Sequence, residues 1–362
     1  MGSRESRGRK ESSMPGLITE HSPRRVVLVR LSAIGDVIHT LPVACALREA
    51  FPQTQIAWVV EDRAAPLLTG HPAIDELVEL PRGFLKSPPR VWQLRRRLRQ
   101  WRADVAIDVQ SLTKSAVVAW LSGARCRIGF ARPCGRELSP WLNSVRVRPR
   151  ATHVVQQYLE LLEPLGITAP RVQFNLPELP EEGEAAEALI ARLGLSQGFA
   201  VLNAGSGWPS KRWPSERFAA VAQHLSEAWQ LPSLVVWAGD EERRWAEAIV
   251  AGAGGHARLA PATTLRELAA VARRARLFIS SDTGPLHLAA AVGTPCIGLF
   301  GPWPAERNGP YGPQHLAIQK MRFDGSTRQR RTAPPSLMEA IDVTTVCQAC
   351  DCLLQRDYIQ AA

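Results

Sequence analysis

Four segments of this 362-residue chain combine glycine with polar or charged side chains in patterns that suit catalysis or phosphate binding. In the first, residues 32–40, Gly35 and Asp36 follow an apolar run and precede a predicted helix. Gly35 allows a ligand to approach the backbone closely. A carboxylate at the start of a helix complements its positive end, and in a cleft it would serve as a general base. The spacing alone leaves both interpretations of Asp36 open.

The second segment, residues 205–214, places two glycines and a hydroxyl group ahead of Lys211. Such a turn after a strand exposes backbone N–H groups, and with the lysine it suits a phosphate. It is not a P-loop, because Lys211 follows Ser210 rather than glycine. Ser210 also stands where the dinucleotide fingerprint needs its third glycine. The alternative is a solvated loop that carries Lys211 and Arg212.

The third segment, residues 236–242, places Asp240 just beyond a predicted strand. A carboxylate in that position can accept hydrogen bonds from both hydroxyl groups of a ribose. Three consecutive acidic residues are also an ordinary beginning for a helix, because they complement its dipole. The segment by itself therefore supports either interpretation.

The fourth segment, residues 281–291, has the features of a helix N-terminus. Asp282 or Thr283 can cap the helix, and Pro285 suits its first turn. The exposed backbone N–H groups would bind an anion, and His287 lies where it could reach the same anion. A structural cap explains much of this pattern, but it does not explain the glycine, proline and histidine together.

The elements that must position these segments are alternating strands and helices. Apolar runs without polar alternation predict strands covered on both faces, as in parallel sheets, at residues 25–30, 56–60, 77–80, 105–109, 199–203, 233–237, 277–280 and 295–300. Periodicity predicts helices over residues 112–121, 154–165 and 215–229, and further helices follow Gly35 and Pro285. The alternation predicts an α/β fold in which the glycine-rich turns face one cleft.

The length predicts about two domains, and a proline-rich, acidic stretch separates two series of strands and helices. We expect a disordered basic tail over residues 1–23, a first doubly wound domain over 24–168, a linker over 169–184, a second such domain over 185–334, and a C-terminal region over 335–362. The last helix, at about 335–354, is expected to pack back on the first domain.

The positive charge is confined to one half of the chain. Residues 1–170 contain 25 Lys and Arg against 15 Asp and Glu, whereas residues 171–362 contain 19 of each. This asymmetry predicts an anionic partner for the first half. The 45% hydrophobic content excludes disorder throughout, and no apolar run approaches the ~20 residues that span a bilayer.

A run of arginines carries much of that charge. Eight basic residues and no acidic residue occur among residues 82–102, and four more arginines follow by residue 136. Arginine suits bidentate recognition of phosphate and carboxylate groups. Trp92 and Trp101 flank the run, and we expect them to rest at a membrane surface. The alternative is a solvated basic helix without a specific ligand.

The termini and cysteines favour a cytoplasmic setting. The first 23 residues are polar and lack the apolar core of a secretory signal. Seven cysteines, an odd number in a long chain, are typical of a reduced compartment. Cys347, Cys350 and Cys352 lack the fourth ligand of a structural zinc site, so we predict a helix with partly buried cysteines and no metal.

Taken together, the segments resemble glycosyltransferase family 9, the bacterial heptosyltransferases. The family's opening signature, S-x-x-G-D-V-x-H-T-L-P, stands at residues 32–42, its K-R-W-P segment at 211–214, and its D-T-G-x-x-H-x-A-A motif at 282–290. Further matching positions lie at residues 108–115, 127–130, 298–302 and 309–312. Ordered motifs in the right context are far more specific than any one of them.

The resemblance implies a GT-B fold, in which two Rossmann-like doubly wound domains with parallel sheets face a central cleft. It implies a nucleotide-sugar donor, ADP-L-glycero-D-manno-heptose, bound by the second domain at Ser206, Gly207, Lys211, Asp240, Asp282, Thr283, Gly284 and His287. It also implies an anionic lipopolysaccharide precursor, a lipid A–Kdo inner core, bound by the first domain at Gly35, His39, Arg63, Lys114 and Arg127. Glu241 is an alternative to Asp240.

The implied activity is that of an inverting heptosyltransferase of lipopolysaccharide core biosynthesis, with Asp36 as the catalytic base. A carboxylate base contributes typically ~10²–10⁴-fold, and Lys211 with the helix start would stabilise the departing diphosphate. No Asp-x-Asp motif occurs in these segments, so we expect neither a metal nor another cofactor. We predict a cytoplasmic enzyme, with peripheral contact at the cytoplasmic face of the inner membrane.

Other functions remain as alternatives. One is a family 9 transferase with another acceptor or nucleotide sugar, since Trp303 stands where the family often has a small hydroxyl residue. Another class is a non-catalytic carbohydrate- or nucleic-acid-binding protein. No nucleic-acid-binding motif accompanies the charge, so we expect no nucleic acid partner. A nicotinamide dehydrogenase is disfavoured by the missing G-x-G-x-x-G.

Overall fold

The computed structural model describes residues 22–361, without the side chains of residues 357–361. The predicted tail over residues 1–23 lies almost wholly outside the described residues. Within this range the strands form two six-stranded sheets. The strands are β1 Arg25–Val29, β2 Gln55–Glu61, β3 Glu76–Leu80, β4 Val105–Asp108, β5 Cys126–Phe130, β6 Val145–Val147, β7 Ala200–Asn203, β8 Ser233–Val236, β9 Ala257–Leu259, β10 Leu277–Ser281, β11 Cys296–Leu299 and β12 Leu316–Ile318.

Helices connect these strands. They are α1 Ile34–Ala50, α2 Ala65–Leu68, α3 Pro88–Trp101, α4 Thr113–Leu121, α5 Ser139–Leu142, α6 Val154–Glu160, α7 Pro180–Arg192, α8 Ser215–Trp229, α9 Gly239–Gly252, α10 Leu265–Arg274, α11 Gly284–Ala291, α12 Ala305–Asn308, α13 Thr327–Arg331, α14 Ser336–Glu339 and α15 Val343–Ala361. Single 3₁₀ turns lie at Phe84–Lys86, Glu163–Leu165 and Pro209–Lys211.

Both sheets are parallel throughout. The first has the order β3-β2-β1-β4-β5-β6 and the second the order β12-β11-β10-β7-β8-β9. The order reverses beside β1 in the first sheet and beside β7 and β10 in the second, and ligands of doubly wound sheets bind outside the carboxyl ends of strands at such switch points. The turns that follow β1, β7 and β10 contain Asp36, Lys211 and Asp282, respectively.

The eight predicted strands are confirmed to within one or two residues at each end. Their apolar runs are almost fully buried, as expected for parallel strands covered by helices on both faces. The strands β5, β6, β9 and β12 were not predicted from the sequence. Three of these have only three residues, and β5 is interrupted by Arg127 and Gly129.

Helices cover both faces of the first sheet. Leu94 and Leu98 of α3 pack with Val118 and Ala119 of α4 on one face. The buried residues of α1 and α6 pack on the other face, where they join the core around α10 and α11 of the second half. The core on that face therefore runs without a break from the first half of the chain to the second.

The C-terminal region differs from the expectation. It forms two helices, α14 and α15, separated at Ile341 and Asp342. Val346, Cys350 and Leu354 of α15 are buried against the second sheet and α8, so the predicted packing on the first domain is wrong. The apolar stripe of α15 fits the face of the second sheet beside α8. The prediction of a helix with partly buried cysteines is confirmed.

Among the described residues, none of the helices is both long enough and apolar enough to cross a bilayer.

Candidate active site

The N-terminal turns of α1 and α11 meet between the two halves of the chain. A methyl group on Gly35 would lie 2.8 Å from Cδ2 of His287, and one on Gly284 would lie 3.0 Å from Cγ2 of Ile34. Real Cβ atoms essentially never approach another heavy atom as closely as the first of these distances. Glycine at position 35 therefore lets the two turns pack directly, and brings Asp36 and Asp282 into one region.

Asp36 is held at the first turn of α1 by a buried cation. The Asp36 Oδ2 atom lies 2.7 Å from Nη2 of Arg30, whose side chain is 6% exposed. The hydroxyl group of Tyr158 donates to Asp36 Oδ1 over 3.3 Å, and the backbone N–H of Ala33 donates to Oδ2 over 3.3 Å. The Asp36 side chain keeps 39% of its surface exposed, so a substrate can reach the carboxylate.

The neighbours of Asp36 hold their own protons firmly. Burial raises the pKa of the Tyr158 hydroxyl, so Tyr158 remains a hydrogen-bond donor to Asp36 at neutral pH. Burial opposes the charge of Arg30, but the Asp36 carboxylate and Tyr158 raise the pKa of Arg30 above its usual value. The guanidinium group also lies 5.0 Å from the centre of the Tyr158 ring. Arg30 and Tyr158 thus fix the orientation of the Asp36 carboxylate.

Asp282 lies two residues before α11 and is also paired with a cation. Nζ of Lys211 lies 2.6 Å from Asp282 Oδ2 and 3.0 Å from its backbone oxygen. Nε2 of His287 lies 3.2 Å from Asp282 Oδ1. Burial would raise the pKa of Asp282, but Lys211 and His287 lower it to about 2. The indole ring of Trp303 lies under the ammonium group, 4.2 Å from Nζ of Lys211.

The backbone N–H groups at the start of α11 have no side-chain cap. Thr283 is the residue before the helix, but its hydroxyl group bonds to Ser280 and Asn203 instead. The Asp282 carboxylate is turned toward Lys211 and His287. The expectation that Asp282 or Thr283 caps this helix is therefore wrong. Uncapped N–H groups at the start of a helix can bind an anion.

Three histidines lie together where the halves meet. The ring centres of His39 and His287 are 4.2 Å apart, and those of His39 and His153 are 6.2 Å apart. His39 is 3% exposed, and burial lowers its pKa well below the usual value, with help from His287 and His153. Nε2 of His153 donates to the Gly309 carbonyl over 2.9 Å. The structure thus places His39 in the contact between α1 and α11, away from solvent.

Two cavities flank the loop after β1. The first, here called the Asp36 cavity, has a volume of about 560 Å³ and is lined by Asp36, Arg30 and Tyr158 and, from the second half, by Trp303. The second, here called the basic cavity, has a volume of about 1010 Å³. Ser32 lines both cavities. Both cavities are lined by the two halves, as expected for a cleft between two sheets.

A comparison with protein families decides the relationship. The family model described as "Glycosyltransferase family 9 (heptosyltransferase)" matches residues 91–335. The chain belongs to glycosyltransferase family 9. It is therefore a glycosyltransferase, as the sequence motifs predicted.

Individual relatives agree with this assignment. Lipopolysaccharide heptosyltransferase 1 of Pseudomonas aeruginosa is 31% identical over 300 residues, which cover 80% of this chain and 81% of the relative. Lipopolysaccharide heptosyltransferase 1 of Escherichia coli K12 is 25% identical over 311 residues, covering 82% and 94% of the two chains.

Solved structures of the family share the fold. The family 9 glycosyltransferase of Veillonella parvula superposes with a TM-score of 0.81 at 24% identity, covering 94% of this chain and 99% of that one. The E. coli heptosyltransferase WaaC with ADP has a TM-score of 0.71 at 25% identity, covering 90% and 98%. The predicted GT-B fold with two parallel sheets is confirmed.

Two predicted acceptor residues of this family 9 enzyme line the basic cavity. Nζ of Lys114 lies 3.0 Å from Oε1 of Glu61 and 3.1 Å from the Ser32 hydroxyl. Arg63 is exposed on the wall of the same cavity. Arg82, Lys86 and Arg331 add positive charge, and Glu61 is the only acidic residue in the lining.

Arg127 is not brought to either cavity. It lies near the amino end of β5, whereas the cavities lie beyond the carboxyl ends of the strands. Its Nε donates to the Leu142 carbonyl and its Nη1 to the Ala124 carbonyl, both over 2.7 Å. The guanidinium group therefore ties β5 to the adjacent segments, which differs from the predicted contact with the acceptor.

The structure brings the residues that were predicted to bind the donor together only in part. Gly207 lines the basic cavity, and the Ser206 hydroxyl donates to the Trp208 carbonyl. Asp240 is exposed at the beginning of α9. The acid that reaches the loop after β7 is Glu242, whose carboxylate occupies the space where a Cβ on Gly205 would stand. Glu242 is also half-buried, and this burial raises the pKa of its carboxyl group.

Sequence reasoning missed several residues of the site. Arg30, Tyr158 and Glu242 contact or approach predicted site residues, and the segment 325–331 lines both cavities. A basic residue at the end of an otherwise apolar strand was a signal for Arg30. No local pattern marks Tyr158, which lies 122 residues from Asp36.

Within residues 22–361, no group of three or more His, Cys, Asp or Glu side chains is arranged to hold a metal ion. The metal independence of this family 9 enzyme stays a prediction.

Proposed function

We propose that this enzyme transfers a heptose from ADP-L-glycero-D-manno-heptose to the lipid A–Kdo inner core of lipopolysaccharide, with inversion at the anomeric carbon. The observation that carries the proposal is the position of Asp36. Its carboxylate is accessible in a cavity between the halves, while Lys211 pairs with the buried Asp282 at the N-terminus of the facing helix. A base and a cation on facing turns suit displacement of a diphosphate by a hydroxyl group.

In the first step of this mechanism, Asp36 accepts the proton of the acceptor hydroxyl as the oxygen attacks the anomeric carbon. A carboxylate is a weak base toward a sugar hydroxyl, so proton transfer is late and concerted with departure of the diphosphate. Arg30 and Tyr158 hold the carboxylate in place through the 2.7 Å ion pair and the 3.3 Å hydrogen bond. A single base on the face opposite the leaving group gives inversion.

The departing ADP gains negative charge. Lys211 and the uncapped N–H groups of α11 stabilise it as preorganised donors. Asp282 orients Lys211 through its carboxylate and its backbone oxygen. This arrangement supplies the electrostatic role that a divalent metal plays in other transferases, so we propose a metal-independent reaction without a cofactor.

The names of the relatives support the choice of substrates. Relatives at 31% and 25% identity are lipopolysaccharide heptosyltransferases, and the E. coli WaaC structure at 25% identity contains ADP. The basic cavity, with five cationic residues in its lining, suits an acceptor that carries phosphate or carboxylate groups.

The experiment is a transfer assay with the purified full-length protein. ADP-L-glycero-D-manno-heptose and O-deacylated lipid A–Kdo are supplied in the presence of EDTA, and the product is characterised by mass spectrometry and NMR. We expect one added heptose with inverted anomeric configuration. Turnover only with another nucleotide sugar, retention of configuration, or dependence on added Mg²⁺ would each contradict the corresponding part of the proposal.

We also propose that the enzyme contacts the cytoplasmic face of the inner membrane through the surface formed by α3, α4 and α5. Helices α3 and α4 lie side by side on the sheet, and α5 contacts α4. Among the described residues, seven large hydrophobic side chains are exposed, and five of them lie in these helices or in the turns just before them: Leu85, Trp92, Trp120, Leu138 and Trp141. Exposed aromatic side chains among arginines are typical of proteins that bind an anionic bilayer surface.

The structure changes one member of that surface. Trp92 is 60% exposed, with the guanidinium group of Arg96 5.7 Å from its ring centre. Trp101 is half-buried beneath Arg25, so the proposed surface does not include it. Trp141, at 77% exposure, was not anticipated.

Vesicle co-sedimentation tests the membrane contact. We expect the protein to bind phosphatidylcholine vesicles that contain phosphatidylglycerol, and the Trp92→Ala/Trp141→Ala variant to lose most of this binding. Met321→Ala, which removes an exposed hydrophobic side chain of the second half, is the matched control. Equal binding by the wild type and the double variant would refute this membrane surface.

A further inference from the structure

The Asp36 cavity is lined by more cationic side chains than the single one that positions Asp36. Besides Arg30, which is paired with Asp36, three arginines line it: Arg136 from the first half, and Arg307 and Arg330 from the second. Asp36 is the only acidic residue in the lining. Across the part of the chain that the structure describes, none of these three guanidinium groups forms an ion pair with a carboxylate.

Neutral groups orient two of these side chains. Nη1 of Arg307 donates to Oδ1 of Asn308 over 2.9 Å. Arg330 donates from Nη1 to the Pro302 carbonyl and from Nε to the Gly325 carbonyl, each over 2.8 Å. Such bonds restrict the side chains and leave their charges uncompensated. A preorganised guanidinium group of this kind binds carboxylate or phosphate oxygens well.

Arg307 also lies near Tyr158 and Asp36 in the cavity. The positive charges of Arg30 and Arg307 act to lower the pKa of the Tyr158 hydroxyl. They oppose the increase that burial causes. Tyr158 in turn donates to Asp36. Because Arg307, Tyr158 and Asp36 line the same cavity, an anion bound by Arg307 would share that cavity with the acceptor hydroxyl that Asp36 deprotonates.

We propose that Arg136, Arg307 and Arg330 form a subsite for an acidic group of the acceptor, a carboxylate or a phosphate next to the attacking hydroxyl. The inference rests on the proposed function and adds to it. Arg307 and Arg330 come from the second half of the chain, to which the resemblance assigns the donor. The acceptor is therefore bound by both halves, and its acidic group positions the hydroxyl over Asp36.

The basic cavity and the Asp36 cavity would then bind different acidic groups of the acceptor. The basic cavity, with Arg63, Arg82 and Lys114, lies on the side of the first sheet formed by β3, β2 and β1. The Asp36 cavity lies over β4 and β5, as shown by Val109 and Phe130 in its lining. An acceptor with several acidic groups can occupy both, because the cavities meet at Ser32.

Steady-state kinetics with O-deacylated lipid A–Kdo test the subsite. Arg136→Gln and Arg307→Gln should each raise the acceptor KM by about tenfold, since a hydrogen bond to a charged group is lost, and leave the donor KM unchanged. Arg132→Gln, in the same loop as Arg136, and Arg328→Gln, exposed on α13, are matched controls, since neither lines the cavity. Circular dichroism and the unchanged donor KM exclude a folding defect.

Modified acceptors identify the group that is bound. The wild type should discriminate against an acceptor whose carboxylates are methyl esters, or against a dephosphorylated acceptor, and Arg307→Gln should lose most of that discrimination. If the wild type transfers heptose but both arginine variants keep the wild-type acceptor KM, the subsite is refuted while the proposed function stands. An increase in donor KM instead would assign the cavity to the donor and also overturn the inference. Absence of transfer by the wild type would refute the proposed function itself.

Discussion

The N-terminal turns of α1 and α11 share an ion pair between an aspartate and a cation, and the two aspartates differ in exposure. Asp36 pairs with the buried Arg30, and Asp282 pairs with Lys211, whose side chain is 14% exposed. In each, the cation also lies near an aromatic ring, Tyr158 or Trp303. The side chain of Asp36 is 39% exposed, whereas that of Asp282 is 7% exposed.

This difference in exposure separates the roles of two similar ion pairs. An accessible carboxylate can exchange a proton with a substrate, and its cation then acts as a positioning group. A buried carboxylate that also accepts from His287 cannot reach a substrate, so its function is to hold Lys211. We therefore expect changes at Asp36 to act on kcat, and changes at Asp282 to act on stability and on the donor.

The largest effect in this comparison is expected for Lys211→Met. Loss of a preorganised donor should lower kcat/KM by about 10²–10³-fold. The unpaired Asp282 should lower the free energy of unfolding by about 3 kcal/mol, measured by urea denaturation. The double variant Lys211→Met/Asp282→Asn should recover most of the stability and none of the activity. Recovery of activity would mean that Lys211 only neutralises Asp282.

Asp282→Asn should have an intermediate effect with a defined pH dependence. The pKa of Asp282 is about 2 in the folded protein and about 3.9 in an unfolded chain, so the ionised carboxylate stabilises the fold above pH 4 by about 2 kcal/mol. That contribution is lost as the pH falls from about 4 toward 2. The difference in unfolding free energy between wild type and Asp282→Asn should shrink over this range, and the exposed variant Asp62→Asn should show no such change. A difference independent of pH would contradict the role of the buried pair.

The smallest effects are expected for the aromatic neighbours. Tyr158→Phe removes one 3.3 Å hydrogen bond to Asp36 and should lower kcat by about fivefold without changing the donor KM. Trp303→Ser removes the ring beside Lys211 and should raise the donor KM by about fivefold with little change in kcat. A raised donor KM for Tyr158→Phe together with a lowered kcat for Trp303→Ser would contradict the proposed separation of roles between the two turns.

The sequence predicted most of the fold because its signals were local. Buried parallel strands such as β1 and β10 are continuous apolar runs, and α8 has both a clear period and a clear end. The position of α15 could not be predicted in this way. Its stripe of buried residues fits either half of the chain, and only packing against α8 decides between them.

The site was predictable where one turn carries several functional residues, as at residues 282–287. It was not predictable where residues from distant segments meet. Tyr158 reaches Asp36 from α6, and Glu242, two residues after Asp240, is the acid that approaches Gly205. Arg127 looked like an anion ligand by residue type, but its position near the amino end of β5 gives it backbone partners instead.

The central claim is that Asp36 is the catalytic base, and its most direct test is the kcat of Asp36→Asn for heptose transfer. Asparagine keeps the size of the side chain. Its one amide oxygen can still accept from Arg30, and its amide nitrogen can donate to the Tyr158 hydroxyl oxygen. Our account predicts that kcat falls by about 10²–10⁴-fold while the donor KM stays within about twofold of the wild-type value. Glu227→Gln, which removes an exposed carboxylate on α8, should behave like the wild type. Equal rates for Asp36→Asn and the wild type would contradict the account.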